Sequence, residues 1–505
     1  MKTAHSLLLL LTALVFFPTE AHEYDLSKLP GKNLVDKYVT EFNSFDDEKY
    51  SQEYPNTAAS EFMCANIPLF ECPDKELEKT YYFRWWTFRK HIRKTPEGYV
   101  ITEFLPNVPW AGTYNTICCP ASHHFNEGRW LHNGTFLTDY ARFWVSSKAN
   151  PRGYSFPAAD AIWSFYLVHH DKTLIHDVYD GLKENYKAWE ESHRDSTGLF
   201  WQIDGYDGME ESVSGALNED HSGYRPTINS YMYADAMALS KMARLLGKKK
   251  EARLYKKKAT EIKKLMNKWL WDKRDQFYKS IPRHTDMSVA PCREEFGYVP
   301  WMYNIPKKDK LIAWEQLFDE KGFKAPYGPT SVEQRSPGFR IVYEGHECQW
   351  NGPSWPFATS QTLKGMANCL HRFGEKVLTK QRYMEVLTTY SNSHRLDGHC
   401  FIDEDLNPYT GDWIARTLLM QRGNEIPDRG KDYNHSSFVD LIISGLVGIE
   451  ADEKGHVTVR PLVPDGLWDY YCLRDVHICG KNVTVVYDKD GKHYGIGKGL
   501  HIIVI

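Results

Sequence analysis

From about residue 75 to 450 the chain repeats one device, an amphipathic helical stretch followed by a long loop rich in Gly, Pro and Trp. Residues 231–246 set Met232, Ala236, Leu239, Ala243 and Leu246 on one face at helical spacing. Residues 354–370 do the same with Trp355, Thr359, Thr362, Met366 and Leu370, and 438–449 with Phe438, Leu441, Ile442, Leu446 and Ile449. Further helices are predicted over 75–92, 155–169, 173–193, 251–270, 307–318 and 377–393. Apolar stripes of this kind need one another as partners, so the chain must be built mainly of helices packed on helices. The connections 101–132, 199–228, 324–356 and 395–415 are long for such a domain, and long ordered loops tend to carry function.

After about residue 450 the pattern changes. Val457-Thr458-Val459, Val476-His477-Ile478, Val483-Thr484-Val485-Val486 and Ile502-Ile503-Val504 read as short strands, with turns at Asp490-Gly491 and Gly495. The expected organisation is an irregular lead-in over 22–73, a mainly α catalytic domain over 74–450 and a small antiparallel β element over 451–505. At the N-terminus, Lys2 and an apolar run from Leu7 to Phe17 precede Pro18 and Thr19-Glu20-Ala21, which predicts a signal peptide over 1–21 and an extracellular protein. That run falls short of the roughly 20 apolar residues that span a bilayer. Ten cysteines fit an oxidising compartment; Cys64 with Cys72, and Cys472 with Cys479, are close enough in sequence for local disulfides. Asn133, Asn434 and Asn482 head N-x-S/T glycosylation acceptors, each usable only at the surface.

Lys plus Arg number 62 against 66 Asp plus Glu, so the chain lacks the basic footprint of a nucleic-acid binder or of a polybasic membrane patch. Its bias is aromatic, at 14 % of residues. Aromatics serve cores first, but indole and phenol faces also stack on sugar rings. No phosphate-binding G-x-x-x-x-G-K-[ST] loop, dinucleotide fingerprint, G-x-S-x-G elbow or H-E-x-x-H helix is present. The pairs His123-His124 and His169-His170 lack partners at metal-ligand spacing and read as hydrogen-bonded or surface histidines.

Carboxylates in aromatic loops remain. Residues 201–212 crowd Asp204, Asp207, Glu210 and Glu211 beside two glycines, Trp201 and Tyr206. Crowding raises the pKa of one member, the condition for a carboxylic acid that delivers a proton to a leaving oxygen. A solvated acidic turn or a calcium loop would have the same composition. A second acidic turn, Asp403-Glu404-Asp405-Leu406-Asn407-Pro408, follows some two hundred residues later. Two such carboxylates on opposite walls of one cavity suit general acid and general base in an inverting hydrolase.

The run Glu404-Asp405-Leu406-Asn407-Pro408-Tyr409-Thr410-Gly411 resembles the E-N-x-N-P-x-T-G motif of the inverting six-hairpin glycosidases, a clan that includes processing α-glucosidases, trehalases and mannosylglycerate-hydrolase-like enzymes. Gly208-Met209-Glu210-Glu211-Ser212 is similar to the clan's S-G-x-D-x-S motif, and Trp350-Asn351-Gly352-Pro353-Ser354-Trp355-Pro356 to its W-x-G-P-x-W-P loop. Pro109-Trp110-Ala111-Gly112-Thr113-Tyr114, with Glu127-Gly128-Arg129-Trp130, resembles the first sugar-facing loop of the mannosylglycerate-hydrolase-like branch. The resemblance implies an (α/α)6 toroid, inverting hydrolysis without metal or organic cofactor, a carbohydrate substrate, Glu404 as general base and Glu210 as general acid. Its sugar-facing loops offer Trp110, Tyr114, Arg129, Trp350, Asn351 and Trp355 as sugar contacts, the tryptophans being equally suited to the core; beside them, Arg225 and Asn229 suit hydrogen bonds to sugar hydroxyls, and Asn229 equally suits a helix entry.

One departure keeps the acid open. The clan carries Asp where this chain has Glu210, with Asp207 three residues earlier. An extra methylene moves the carboxyl by roughly an ångström, enough to cost about 10²-fold in rate. Asp207 is therefore the rival acid, and a non-catalytic extracellular glycan-binding or matrix protein the rival function. A polysaccharide lyase is a third reading, although carboxylate-rich loops would repel an anionic sugar.

Overall fold

Helix starts are written into the sequence. Asp74 caps the helix Lys75–Lys90 by accepting from the Leu77 amide at 3.0 Å. Glu76 and Glu78 in its first turn and Arg89 and Lys90 in its last complement the helix dipole. Asp171 caps Lys172–His193 through the Thr173 and Leu174 amides at 2.9 and 3.2 Å. Pro226 and Pro356 open the buried helices Pro226–Leu245 and Pro356–Phe373, each at the end of a long loop. These helices belong to a computed structural model that describes residues 25–505; the signal peptide expected over 1–21 lies outside them.

The fold is mainly α with several small antiparallel sheets. One continuous apolar core runs from Val35 to Val485, so lead-in, helical region and C-terminal strands share a single interior. The expected irregular lead-in is corrected. It forms the helices Lys32–Ser44 and Ala59–Asn66, the first burying Val35, Tyr38, Val39 and Phe42, a period-3.6 stripe. Its strand Leu69–Glu71 pairs with Tyr470–Ile478, which continues into Lys481–Asp488 and Gly499–Val504. The terminal β element thus takes its fourth strand from the other end of the chain.

Other predicted elements differ in detail. Residues 251–270 divide into an α-helix, Lys249–Leu265, and a π-helical turn, Met266–Leu270. Lys308–Phe318 is a 3₁₀ helix, and the apolar 438–449 segment is a short helical turn continued by π-helical Leu441–Leu446. Ala121–Gly128, Thr135–Trp144 and Ile414–Gln421 are helices inside or beside stretches read as loops.

The expected disulfides are absent, and all ten cysteines are free thiols. Cys472 and Cys479 stand near opposite ends of the strand Tyr470–Ile478. Seven residues of extended chain span roughly 23 Å, whereas a disulfide needs Cα atoms within about 7 Å. Of the glycosylation acceptors, Asn133 is exposed and Asn482 half-buried in a strand. Asn434 is 2 % exposed and its amide donates to the Thr102 carbonyl at 3.2 Å, so the folded chain leaves no room for a glycan there. Among the described residues no helix is long and apolar enough to cross a membrane.

Buried charge ties the helices together. The Asp440 carboxylate accepts from Arg129 Nη2 at 2.5 Å, Trp130 Nε1 at 2.9 Å and Lys364 Nζ at 3.1 Å. Burial opposes its ionisation, but Arg129 and Lys364 outweigh that and hold its pKa below the usual carboxylate range. Glu127 accepts from the Val439 and Asp440 amides at 3.1 Å each, covering the free N–H groups at the next helix start. Replacing Asp440 with Ala leaves buried Arg129 and half-buried Lys364 without their counter-charge, although Lys364 keeps the Ser444 hydroxyl at 2.7 Å. Denaturant unfolding should then show a loss of about 3–5 kcal/mol, while breaking an exposed surface pair such as Lys489–Asp469 should change stability far less.

Candidate active site

The two acidic loops meet through a third. The Trp350 amide donates to the Glu210 carbonyl at 3.0 Å, and Ser354 and Leu406 exchange backbone hydrogen bonds at 2.9 and 3.0 Å. The W-x-G-P-x-W-P segment is therefore a backbone bridge between both acid-bearing loops. Its glycine has a steric reason: a Cβ on Gly352 would stand 1.8 Å from the Arg340 carbonyl oxygen. The second turn is held by Asn407, whose Oδ1 accepts from the Tyr409 and Thr410 amides at 3.0 and 3.3 Å. Gly411, at φ 75°, closes it.

Glu210 and Glu404 line one cavity of about 220 Å³, together with Glu103, Trp110, Cys119, Tyr154, Glu347, Cys348, Trp350, Trp355, Arg429, Tyr433 and His435. Their surroundings differ. Among the described residues Glu210 has no cation within ion-pair distance, and burial, then the charges of Glu404, Asp204 and Glu347, push its pKa up to about 8. Glu404, 1 % exposed, faces Arg429, whose Nε and Nη2 lie 3.4 Å from its Oε1. The Cys348 thiol donates to Glu404 Oε2 at 3.0 Å. Arg429 also donates to Glu347 at 2.9 Å and lies 5.0 Å over the Trp110 ring. Tyr154 and Glu210 line a second cavity as well, of about 360 Å³, beside Asp204, Tyr206, Glu219, Asp220 and His221.

Asp207 faces elsewhere. It closes the short 3₁₀ turn Gly205–Asp207, after which Gly208, at φ 74°, reverses the chain before Glu210. A Cβ on Gly208 would lie 2.5 Å from the Cys119 sulfur. The Asp207 carboxylate accepts from Arg225 Nε at 2.8 Å and from the Thr227 hydroxyl. Arg225 also donates to Ser212 and Ser214 Oγ at 3.3 and 3.4 Å, and lies 4.6 Å from the Phe296 ring centre. This pair clamps the acid loop from beneath.

The remaining residues named from sequence divide the same way. Trp110, Trp350 and Trp355 all line the cavity, but Trp350 and Trp355 stack on each other at 4.5 Å and are nearly sealed; Trp110 is 45 % exposed. Arg129 belongs to the Asp440 network. Tyr114 donates to Glu97 outside the cavity. Asn229 pairs with both backbone groups of Phe200, at 2.9 and 2.8 Å, and fixes the entry to the acid loop. Asn351 serves the bridge by accepting from the Arg340 amide through its carbonyl at 2.8 Å. Unpredicted polar cavity residues include Glu103, His346, Glu347, Cys348, Arg429, Tyr433 and His435. Only the polar run Arg429-Gly430-Lys431-Asp432-Tyr433-Asn434-His435, which lies in a segment without helical period, offered any signal for them.

Paired carboxyl groups at one aromatic cavity, on a mainly helical scaffold, are the equipment of a glycoside hydrolase domain. The chain belongs to the mannosylglycerate hydrolase MGH1-like glycoside hydrolase domain family, whose model matches residues 113–436. A solved sialidase chain aligns with 94 % of this chain at 40 % identity and a TM-score of 0.88, using 43 % of its own length. GH63 mannosylglycerate hydrolase from Thermus thermophilus shares the fold, at 12 % identity and a TM-score of 0.53, over 72 % of this chain and 100 % of that one. An uncharacterised protein of Borreliella burgdorferi is 23 % identical over 244 residues, 47 % of this chain and 48 % of its own. The chain thus spans less than half the length of the sialidase chain and of the curated relative.

Asp207 and Glu210 are separable by stability. Asp207→Asn leaves Arg225 buried without its counter-charge, so thermal or denaturant unfolding should show a loss of about 3–5 kcal/mol. Glu210→Gln removes a carboxyl that burial already disfavours when charged, and should leave stability unchanged or raise it, more so at pH 8.5 than at pH 5.5. The sign follows from the raised pKa: between the ordinary carboxyl value and about 8 the folded state binds the extra proton, so native Glu210 costs progressively more stability as pH rises.

Proposed function

We propose that this protein is a secreted, inverting glycoside hydrolase on an (α/α)6 toroid, with residues 74–450 as its catalytic domain and 451–505 as the β element. Glu210 is the general acid and Glu404 the general base. One observation carries the assignment: two glutamates share a cavity, one without a cation and pushed up to about 8, the other facing Arg429. Carboxyls whose environments differ in this way divide acid and base roles between them. Family membership supports the reaction class. Secretion rests on the apolar run Leu7–Phe17.

The steps balance without a cofactor. Glu210 gives its proton to the glycosidic oxygen as the bond from that oxygen to the anomeric carbon breaks. Water attacks the anomeric carbon from the opposite face and gives its proton to Glu404. The products are the free sugar, inverted at the anomeric carbon, and the alcohol. Exchange with solvent returns both carboxyls to their starting states. Glu210 lines both cavities, which supports placing the cleaved bond beside it, with the glycone toward Glu404 and the leaving group toward Tyr206 and His221.

Glu404→Gln should lower kcat by about 10²–10⁴-fold while sugar binding persists, because the water loses its proton acceptor. Glu210→Gln should match that loss on sugar leaving groups and recover on an activated aryl glycoside, which needs no proton. For the native enzyme, kcat on sugar leaving groups should fall above pH of about 8 as Glu210 ionises, and this limb should vanish with the activated substrate. NMR of the first-formed product reads the anomer: retention refutes the water-activating role of Glu404. If no glycoside is hydrolysed yet glycans bind, the binding-protein reading replaces this one.

A further inference from the structure

We infer that the cavity is built for an uncharged sugar and that Glu103 is a specificity residue which contacts one of its hydroxyls. This rests on the glycosidase reading of the same cavity, and begins with its charges. Four glutamates, Glu103, Glu210, Glu347 and Glu404, line it against a single arginine. Arg429 is already committed, to Glu347 at 2.9 Å and to Glu404 at 3.4 Å. His435 is sealed, and burial pushes its pKa well below the ordinary histidine value, so it brings no positive charge. A uronate, sialate or glycerate carboxylate entering this space would meet the Glu347 and Glu404 carboxylates, with Arg429 already shared between them; the remaining basic group, the exposed His346, has its Nδ1 engaged by the Cys348 amide at 3.0 Å. A buried charge lacking a counter-ion or donors is strongly disfavoured.

Glu103 has the geometry of a sugar contact. It is 5 % exposed, and its Oε1 accepts from the Tyr433 hydroxyl. Its Oε2 has no hydrogen-bond partner among the described residues, and the side chain lines the cavity with both proposed catalytic groups. The supporting tyrosine is wedged against His435 at 3.7 Å and Phe104 at 4.8 Å between ring centres. The Glu103 carbonyl accepts from the Asn434 amide at 3.1 Å, so backbone and side chain are both fixed. Burial, with the nearby charges of Glu404 and Glu210, pushes the Glu103 pKa up to about 8. A neutral carboxyl can donate through one oxygen and accept through the other, which matches a hydroxyl's own capacities. A site that satisfies such a group rejects analogues lacking the hydroxyl, since its own buried polar atoms are then left unpaired.

Binding without turnover tests this apart from hydrolysis. The Glu404→Gln protein is titrated calorimetrically with matched aryl glycosides: glucoside against glucuronide, galactoside against galacturonide, then a sialoside and mannosylglycerate. Binding should be confined to uncharged members, each at least tenfold tighter than its uronate partner. Equal or tighter binding of an anionic member, or no binding of any uncharged one, overturns the inference. For the best neutral sugar, monodeoxy analogues are then compared in Glu103→Ala and Glu103→Gln backgrounds. One deoxy position should lose roughly tenfold or more with Glu103 present and nothing with alanine, while glutamine restores most of the discrimination. Unchanged deoxy penalties in Glu103→Ala would show that Glu103 touches no hydroxyl. Hydrolysis of uronides would defeat this inference and leave the hydrolase standing; tight neutral binding without hydrolysis by wild type would do the reverse.

Discussion

Everything at the active cavity is arranged around negative charge removed from water. Glu103, Glu210 and Glu404 are carried into one interior space that holds a single arginine. Taking carboxylates out of solvent costs several kcal/mol each unless they are paired or protonated, so each takes a different route. Glu404 is met by Arg429 and a thiol, Glu103 by a tyrosine hydroxyl, and Glu210 is left to hold a proton. The asymmetry that acid–base chemistry needs is thus a consequence of how sparingly the cavity is supplied with cations.

Such a cavity must be held rigid from outside, because its own groups repel. Three sets of contacts do this. The Arg225–Asp207 pair pins the first acid loop. The Trp350 and Ser354 backbone bonds join that loop to the second. The Asp440 network locks Arg129 and Lys364 into the helix interior. Several residues with the look of sugar ligands turn out to be parts of this frame. Frame and ligand draw on the same residue types, since both need strong, directional donors in a dry environment.

The likeness to the solved sialidase chain is strong over nearly all of this chain but covers 43 % of the other. The likeness to GH63 mannosylglycerate hydrolase is weaker in sequence and spans all of that protein. One scaffold can host different substrates, so likeness of fold alone does not carry a substrate from one chain to another. The charge count around Glu404, more than the fold, bears on which sugars this chain accepts.

The sequence by itself determined the helical character, the starts of several central helices and the two acid loops. Those depend on local terms: the 3.6-residue stripe, Asp and Pro at first turns, and Asn407-Pro408 with Gly411 in a turn only a few backbones allow. It left Asp207 and Glu210 unresolved, because nothing in their spacing says that Gly208 turns one carboxyl toward Arg225 and the other toward the cavity. It missed the lead-in strand, whose partner lies about four hundred residues away, and Arg429, which no motif flagged. Glu103 was invisible for the same reason: it meets Tyr433 across 330 positions of chain. Desolvation and Coulomb energies depend on distance through space and on the water excluded, and only the tertiary fold sets either.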